Sequence, residues 1–359
     1  MMMESIALPT GPYDWHPERI PQSVFEARVD AVRAIMRARD VTHLVVHGNG
    51  FDHGALAWLT GFTPKLGPGY ALIPVTGAAR MLFAGGPGMR PSAARLTWVE
   101  DVAALKGIGA DLGRWLGDDG KSVLACVEGR AMSRGDWLAV TRAAPGGRAT
   151  GLDDAIDALR RAKAPLELEL IRRSAAILTT ACETLSAAVA RDGIRTAVLA
   201  AERRAYDAGA QDVRVRIGPR AWALPVPLGA QDGLVDGPAR VAIALRASGY
   251  WVSAEFVAGA LPAEVERRAR DAIAGVLGRL RAGAGATDLA GVHLTCTGIG
   301  LAPEEAPRLA DGDRLAEGDV CVATLTLAVA PGQTGVWSVM AAIGGDGAQL
   351  MWAPPGLGL

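Results

Sequence analysis

Titratable side chains gather at a few places along the 359-residue chain. Glu304 and Glu305 are adjacent, and Arg308 follows Glu304 by four. Two carboxylates in one turn repel, so one can hold a proton near neutrality and act as a general acid. The plainer reading is a solvated acidic loop tip with an arginine partner. His43, His47 and His53 crowd one segment. His43 and His47 are four apart on an expected strand and share a face. They could hold a transition metal, or simply pack. His293 and Cys296 could form a nucleophilic pair. Residues three apart on a strand point to opposite faces, however, and a buried thiol is the plainer reading. Arg246 and Arg220 could clasp a carboxylate through paired N–H groups, or lie exposed on strands. The glycine strings at Gly85–Gly88 and Gly298–Gly300 lack both P-loop chemistry and dinucleotide spacing, and read as turns.

The first half alternates helix-like and strand-like segments. Val24, Val29, Val32, Ile35 and Met36 form a helical stripe. Thr42–His47 is a strand, and Tyr70–Val75 with Met81–Ala84 read as an antiparallel hairpin. Leu105–Leu116 reads as a helix, Ser122–Val127 as a strand, and Ser133 as the cap of a helix to about Arg142. This alternation predicts an α/β layer domain over residues 1–150. The Gly/Pro-rich string from Ala144 to Gly151 marks the boundary. Residues 151–359 read as α+β. Pro165 opens a long helix that Asp192-Gly193 ends, and Thr196 opens a second helix. Strands follow at Val213–Ile217, Val241–Leu245, Tyr250–Val257, Val320–Val329 and Val336–Ile343, with a helix at Pro262–Ala282.

Composition narrows the function classes. Lys plus Arg number 37 and Asp plus Glu 38, so the net charge is −1. With no basic run, nucleic acid is not an expected partner. Half the residues are hydrophobic, enough for a sizeable core. The four cysteines are far apart and show no zinc-site spacing, which predicts a reducing cytoplasm. The opening residues carry acids and prolines without the apolar run of a signal peptide, and no stretch is apolar enough to span a membrane.

Five strings carry a resemblance to a known family. His53–Phe62 (HGALAWLTGF) resembles the "NxxYLTGF" turn of creatinase, prolidase and aminopeptidase P. RRAKAPLELELIRRSAAI resembles the helix that opens their C-terminal domain. Gly249–Phe256 (GYWVSAEF) resembles "GYxxDxxR", Thr297–Leu309 resembles "HGIGxxxHExP", and Gly318–Trp337 resembles "GMVFTIEPGLYxPGxxGV". The resemblance implies an α/β N-terminal domain followed by an α+β "pita-bread" C-terminal domain. It also implies a homodimer in which one N-domain roofs the partner's active site.

The metallopeptidases of this family hold two divalent ions with five carboxylate and imidazole ligands. By resemblance those positions fall near Ala244 and at Ser253, Thr297, Thr324 and Val339, and the substrate-side histidine falls at Pro225. None offers the anionic oxygen or imidazole nitrogen such ions need. No metal and no other cofactor is therefore expected. Creatinase, on the same fold, splits a C–N bond without a catalytic metal. Its hairpin glutamate corresponds to Glu255, and the arginine after it to Phe256. A Glu desolvated by an apolar neighbour would suit a general acid. Glu304, Glu305 and His53 could assist. Tyr250, Trp251, Trp222 and Trp337 could box a flat or cationic substrate, with Arg246, Arg220 and Thr297 beside them. The leading expectation is a metal-independent, creatinase-like hydrolase or lyase acting on a small nitrogenous molecule. The alternatives are an inactive ligand-binding module and a metallohydrolase with relocated ligands.

Overall fold

A computed structural model describes residues 15–117, 122–144, 149–228, 237–309 and 312–358. The opening residues and the Gly/Pro-rich stretch 145–148 lie outside the described residues. The chain divides into two compact units, Met1–Arg160 and Arg161–Leu359.

The first unit runs α1 (Gln22–Ala38), β1 (His43–Gly48), α2 (Gly54–Thr60), β2 (Gly69–Pro74), β3 (Arg80–Phe83), α3 (Arg90–Ala94), β4 (Asp101–Ala104), α4 (Ile108–Leu116), β5 (Leu124–Val127), α5 (Arg134–Ala143), β6 (Thr150–Gly151) and α6 (Asp153–Arg161). Its sheet has the order β4-β3-β2-β1-β5-β6. The expected β2–β3 hairpin is antiparallel, with Tyr70 opposite Leu82. β1 pairs parallel with β5, as a layered α/β unit requires. Val45, Leu72, Leu82, Leu112 and Leu124 form the core between sheet and helices. Ser133 caps α5 as expected, accepting from the Asp136 N–H at 3.1 Å.

Two details differ from the sequence expectation. The helix expected from Leu105 begins at Ile108, because Asp101–Ala104 is claimed by the ladder beside β3. The unit boundary falls ten residues later than expected. β6 pairs with β5 at Cys126 and Gly151, and Ile156 of α6 is buried, so both elements belong to the first core.

The second unit opens with α7 (Pro165–Asp192) and α8 (Ile194–Asp207). Then come β7 (Asp212–Gly218), β8 (Val226–Pro227), β9 (Ala239–Ala247), β10 (Tyr250–Ala258), α9 (Ala263–Leu277), β11 (Thr295–Gly298), β12 (Val320–Ala330), β13 (Gln333–Gly344) and β14 (Gly347–Trp352). They form two four-stranded sheets, β10-β9-β7-β8 and β11-β12-β13-β14. α9 stops at Leu277, before Gly278, short of the expected Ala282; glycine is a poor helix former. Arg161 ties the start of this unit to its second sheet, donating from Nε and Nη2 to the two oxygens of fully buried Asp319, each at 2.8 Å. Among the described residues no helix is long and apolar enough to cross a membrane.

Candidate active site

The site is built on the β9–β10 hairpin. Ser248 and Gly249 join the strands with φ of 51° and 85°. Positive φ at both central residues is the geometry that matches strand twist in a two-residue turn. The turn fixes the register, setting Ala247 opposite Tyr250 and Ala244 opposite Ser253. Side chains then alternate between two faces.

One face is apolar. Val241, Ile243 and Leu245 of β9, with Val252, Ala254 and Phe256 of β10, are buried. Tyr250 is on this face. It donates from its hydroxyl to Glu167 at 2.6 Å, and the other Glu167 oxygen accepts from the Ala164 N–H at 3.0 Å. Glu167 thus closes the first turn of α7, and Tyr250 is held against that helix. Its expected place as a substrate wall is corrected: the alternation sends it away from its neighbour Trp251.

The other face is polar. By register it carries Asp212, Arg214 and Arg216 of β7, Arg240, Ala242, Ala244 and Arg246 of β9, and Trp251, Ser253 and Glu255 of β10. The Glu255 Oε1 accepts from Arg240 Nε at 2.6 Å and pairs with its Nη2 at 2.5 Å. The Glu255 N–H donates to Ser338 Oγ of β13 at 2.7 Å. Phe256 belongs to the opposite face, so it does not desolvate this carboxylate. The expectation of a Glu255 in apolar surroundings is replaced by a carboxylate held by a guanidinium. The Arg214 guanidinium lies 4.4 Å from the centre of the Trp251 ring. Arg246 is buried at the register position across from Trp251.

The second sheet brings Thr297 of β11 opposite Val322, and Thr324 of β12 opposite both Thr295 and Ser338. The position across from Thr324 is thus Ser338, one residue before Val339, which alternates to the other side and is fully buried. A two-ion centre can be tested against these residues. Ala244 and Ser253 share a ladder rung, and Thr297, Thr324 and Ser338 supply neutral hydroxyls. A methyl group and four hydroxyls do not fit a pair of divalent cations, which need anionic oxygen. Among the described residues no group of three or more His, Cys, Asp or Glu side chains is arranged to hold a metal ion.

The Thr297–Leu309 turn has a different job for its acids. Glu305 accepts from the N–H groups of Leu301 at 2.7 Å and Ala302 at 3.0 Å, and pairs with buried Lys163 at 3.2 Å. Glu304 is exposed and pairs with Arg308 at 3.1 Å. The adjacent carboxylates therefore have separate partners and form no pair with each other. The turn is tight: a Cβ at Gly298 would lie 2.1 Å from the Ala306 carbonyl oxygen. Gly298→Ala is expected to cost at least the roughly 1–3 kcal/mol of overpacking, since backbone must move. Denaturant titration of the variant checks this.

Arg220 and Trp222 are exposed on the turn after β7, with Arg220 5.6 Å from the Trp222 ring centre. Trp337 is buried, its ring closing over Gly335, where a Cβ would meet it at 2.6 Å. His293 is exposed and Cys296 buried, so the proposed pair does not form. Cys296 instead neighbours Cys321, and its side chain together with burial raises the Cys321 thiol pKa.

His53, His43 and His47 belong to the first unit. His53 is buried at the start of α2, its Nδ1 3.0 Å from the Asn49 carbonyl oxygen. His43 packs its ring edge on Trp115 at 4.6 Å. His47 is buried beside Tyr70, and burial lowers its pKa.

Sequence reasoning missed Glu128, which follows β5 with φ of 58° and is buried. Burial first, then the nearby Asp52 charge, push its pKa from 4.5 up to about 7, against the pull of Arg160 and Arg130. The folded state therefore keeps a proton that the unfolded chain has released above pH 4.5. The contribution of Glu128 to stability is therefore expected to fall as pH rises from 4.5 to 7 and then level, by up to about 3 kcal/mol. Glu128→Gln is expected to flatten that slope and stabilise the protein at pH 8, as read by denaturant titrations across this range.

No family model and no curated protein matches the chain. Solved structures do. A prolidase from Pyrococcus horikoshii OT3 is 18% identical, with a TM-score of 0.72 over 90% of this chain and 97% of that one. An X-Pro aminopeptidase from Thermotoga maritima MSB8 is 18% identical, with a TM-score of 0.72 over 91% and 98%. An Xaa-Pro dipeptidase from Bacillus anthracis is 16% identical, with a TM-score of 0.70 over 91% and 97%. The chain has the pita-bread fold, with mixed α/β layers across nearly its whole length.

Proposed function

We propose that this pita-bread chain is a metal-independent hydrolase that cleaves a C–N bond in a small nitrogenous or amino-acid-like substrate. The likeness to prolidases and X-Pro peptidases supports the hydrolase class, and the hydroxyl and methyl groups at the ion positions support metal independence. One observation carries the reading: the polar face of β9–β10 keeps a carboxylate, Glu255, two strand positions from the Ala244–Ser253 rung. Arg240 grips one of its oxygens and Ser338 fixes its backbone. The second oxygen can then accept a proton from an attacking water, and the resulting acid can return it to the leaving nitrogen. Glu255 acts as a base first, not as the desolvated acid suggested by Phe256.

A second reading has its own support. Arg240 makes two contacts to Glu255, which suits a binding module in which the pair is purely structural. An amine-release assay over X-Pro dipeptides, N-acyl amino acids and guanidino acids, run with chelator, separates the two. The hydrolase reading expects product at a rate the chelator does not change. No product from any class, with a ligand that still raises the melting temperature, favours the binding module.

A further inference from the structure

We infer that the polar face of the β7–β9–β10 sheet is a receptor for an oxyanion, a carboxylate or phosphoryl group. The inference deepens the proposed hydrolase, on whose site it rests, by naming the charged group its substrate carries. The register sets four guanidinium groups, Arg214, Arg216, Arg240 and Arg246, on this face against two carboxylates, Asp212 and Glu255. The sign of the face is therefore positive. A surface built to hold cations needs the opposite sign.

The donors differ in how far they are committed. Arg240 is held by Glu255. Arg214 is half-exposed, 3.6 Å from Asp212 and stacked on Trp251. Arg216 is exposed, and no partner for it occurs among the described residues. Trp251 is the independent pointer. It is 2% exposed, yet its indole N–H meets no acceptor among the described residues. A buried donor without a partner costs roughly 1–3 kcal/mol, and an oxygen ligand removes that cost. An oxyanion held beside Arg214 would give this N–H, at the edge of the ring that the guanidinium covers, an acceptor. Arg216, two residues along β7 and so on the same face, supplies a fork for two oxygens.

The test uses the full-length protein, with inorganic phosphate and succinate as separate probes, read by tryptophan fluorescence and melting temperature. Saturable binding of at least one probe is expected, weakening as salt rises. Phosphate alone indicates a phosphoryl group, and succinate alone a carboxylate. Arg216→Ala is expected to weaken binding about tenfold or more. Arg216→Lys should recover part of it. Trp251→Phe should abolish the fluorescence change. Glu255→Gln should leave anion binding intact or tighter, because it removes a negative charge, whatever it does to turnover. Failure of both probes to bind overturns the inference, as does binding that Arg216→Ala leaves unchanged. Anion binding without turnover on any substrate would defeat the hydrolase reading alone, and turnover of neutral substrates without anion binding would defeat this one alone.

Discussion

Glu255→Gln should lower turnover by about 10²–10⁴-fold, the range for removing a positioned general base. The amide keeps the shape of the side chain and still offers Arg240 an oxygen, so the Arg240 grip and the Ser338 contact can persist. What it loses is the basic lone pair. A structural ion pair would behave otherwise. Arg240 and Glu255 side chains are 21% and 24% exposed, so the pair is part-buried, and the retained amide oxygen limits the loss to about 1 kcal/mol. Steady-state kinetics and a denaturant titration on one preparation therefore separate the roles. Turnover should collapse while stability barely changes. Unchanged turnover removes Glu255 from the chemistry.

Glu305→Ala should produce the largest loss of stability, about 3–5 kcal/mol, the range for breaking a buried pair from one side. The side chains of Lys163 and Glu305 are only 2% and 9% exposed. The substitution strips the buried ammonium of this counter-charge and leaves the Leu301 and Ala302 N–H groups without their acceptor. Lys163 precedes α7 and Glu305 closes the turn after β11, so the pair joins the start of the unit to its second sheet. Denaturant unfolding measures the loss. Glu305→Gln separates structure from catalysis, because it keeps an acceptor oxygen but not the charge. Glu305→Gln is expected to lose less stability than Glu305→Ala, because the N–H acceptor stays while Lys163 loses this counter-charge, and to leave turnover unchanged.

The sequence revealed the elements better than their pairings. The β9–β10 hairpin was legible because Gly249 and the alternation after it have local causes. Tyr250 and Trp251 cannot form one aromatic wall, because adjacent strand residues face opposite ways, a signal present in the string itself. The same alternation in Asp212–Gly218, with Val213, Val215 and Ile217 between Arg214 and Arg216, could have marked the basic face. The Arg240–Glu255 pair was not legible, since it depends on the register across a hairpin. The one-residue shift from Val339 to Ser338 has the same origin: the ladder to β12 decides which residue meets Thr324. Strands β4, β6, β8 and β11 have four residues or fewer and owe their form to neighbours, so the string does not mark them. Glu304 and Glu305 looked alike in sequence. Only the tight Gly298–Gly300 turn makes one a buried anchor and the other a solvated tip.

The central claim is that this pita-bread site has exchanged a dication ligand set for hydroxyls and guanidinium groups. The most direct measurement is calorimetric titration of manganese and zinc into full-length protein stripped with chelator. The account predicts no stoichiometric uptake by the second unit's sheets and no gain of turnover on adding either metal. Two ions bound per chain, with turnover that appears only when they are present, would contradict it.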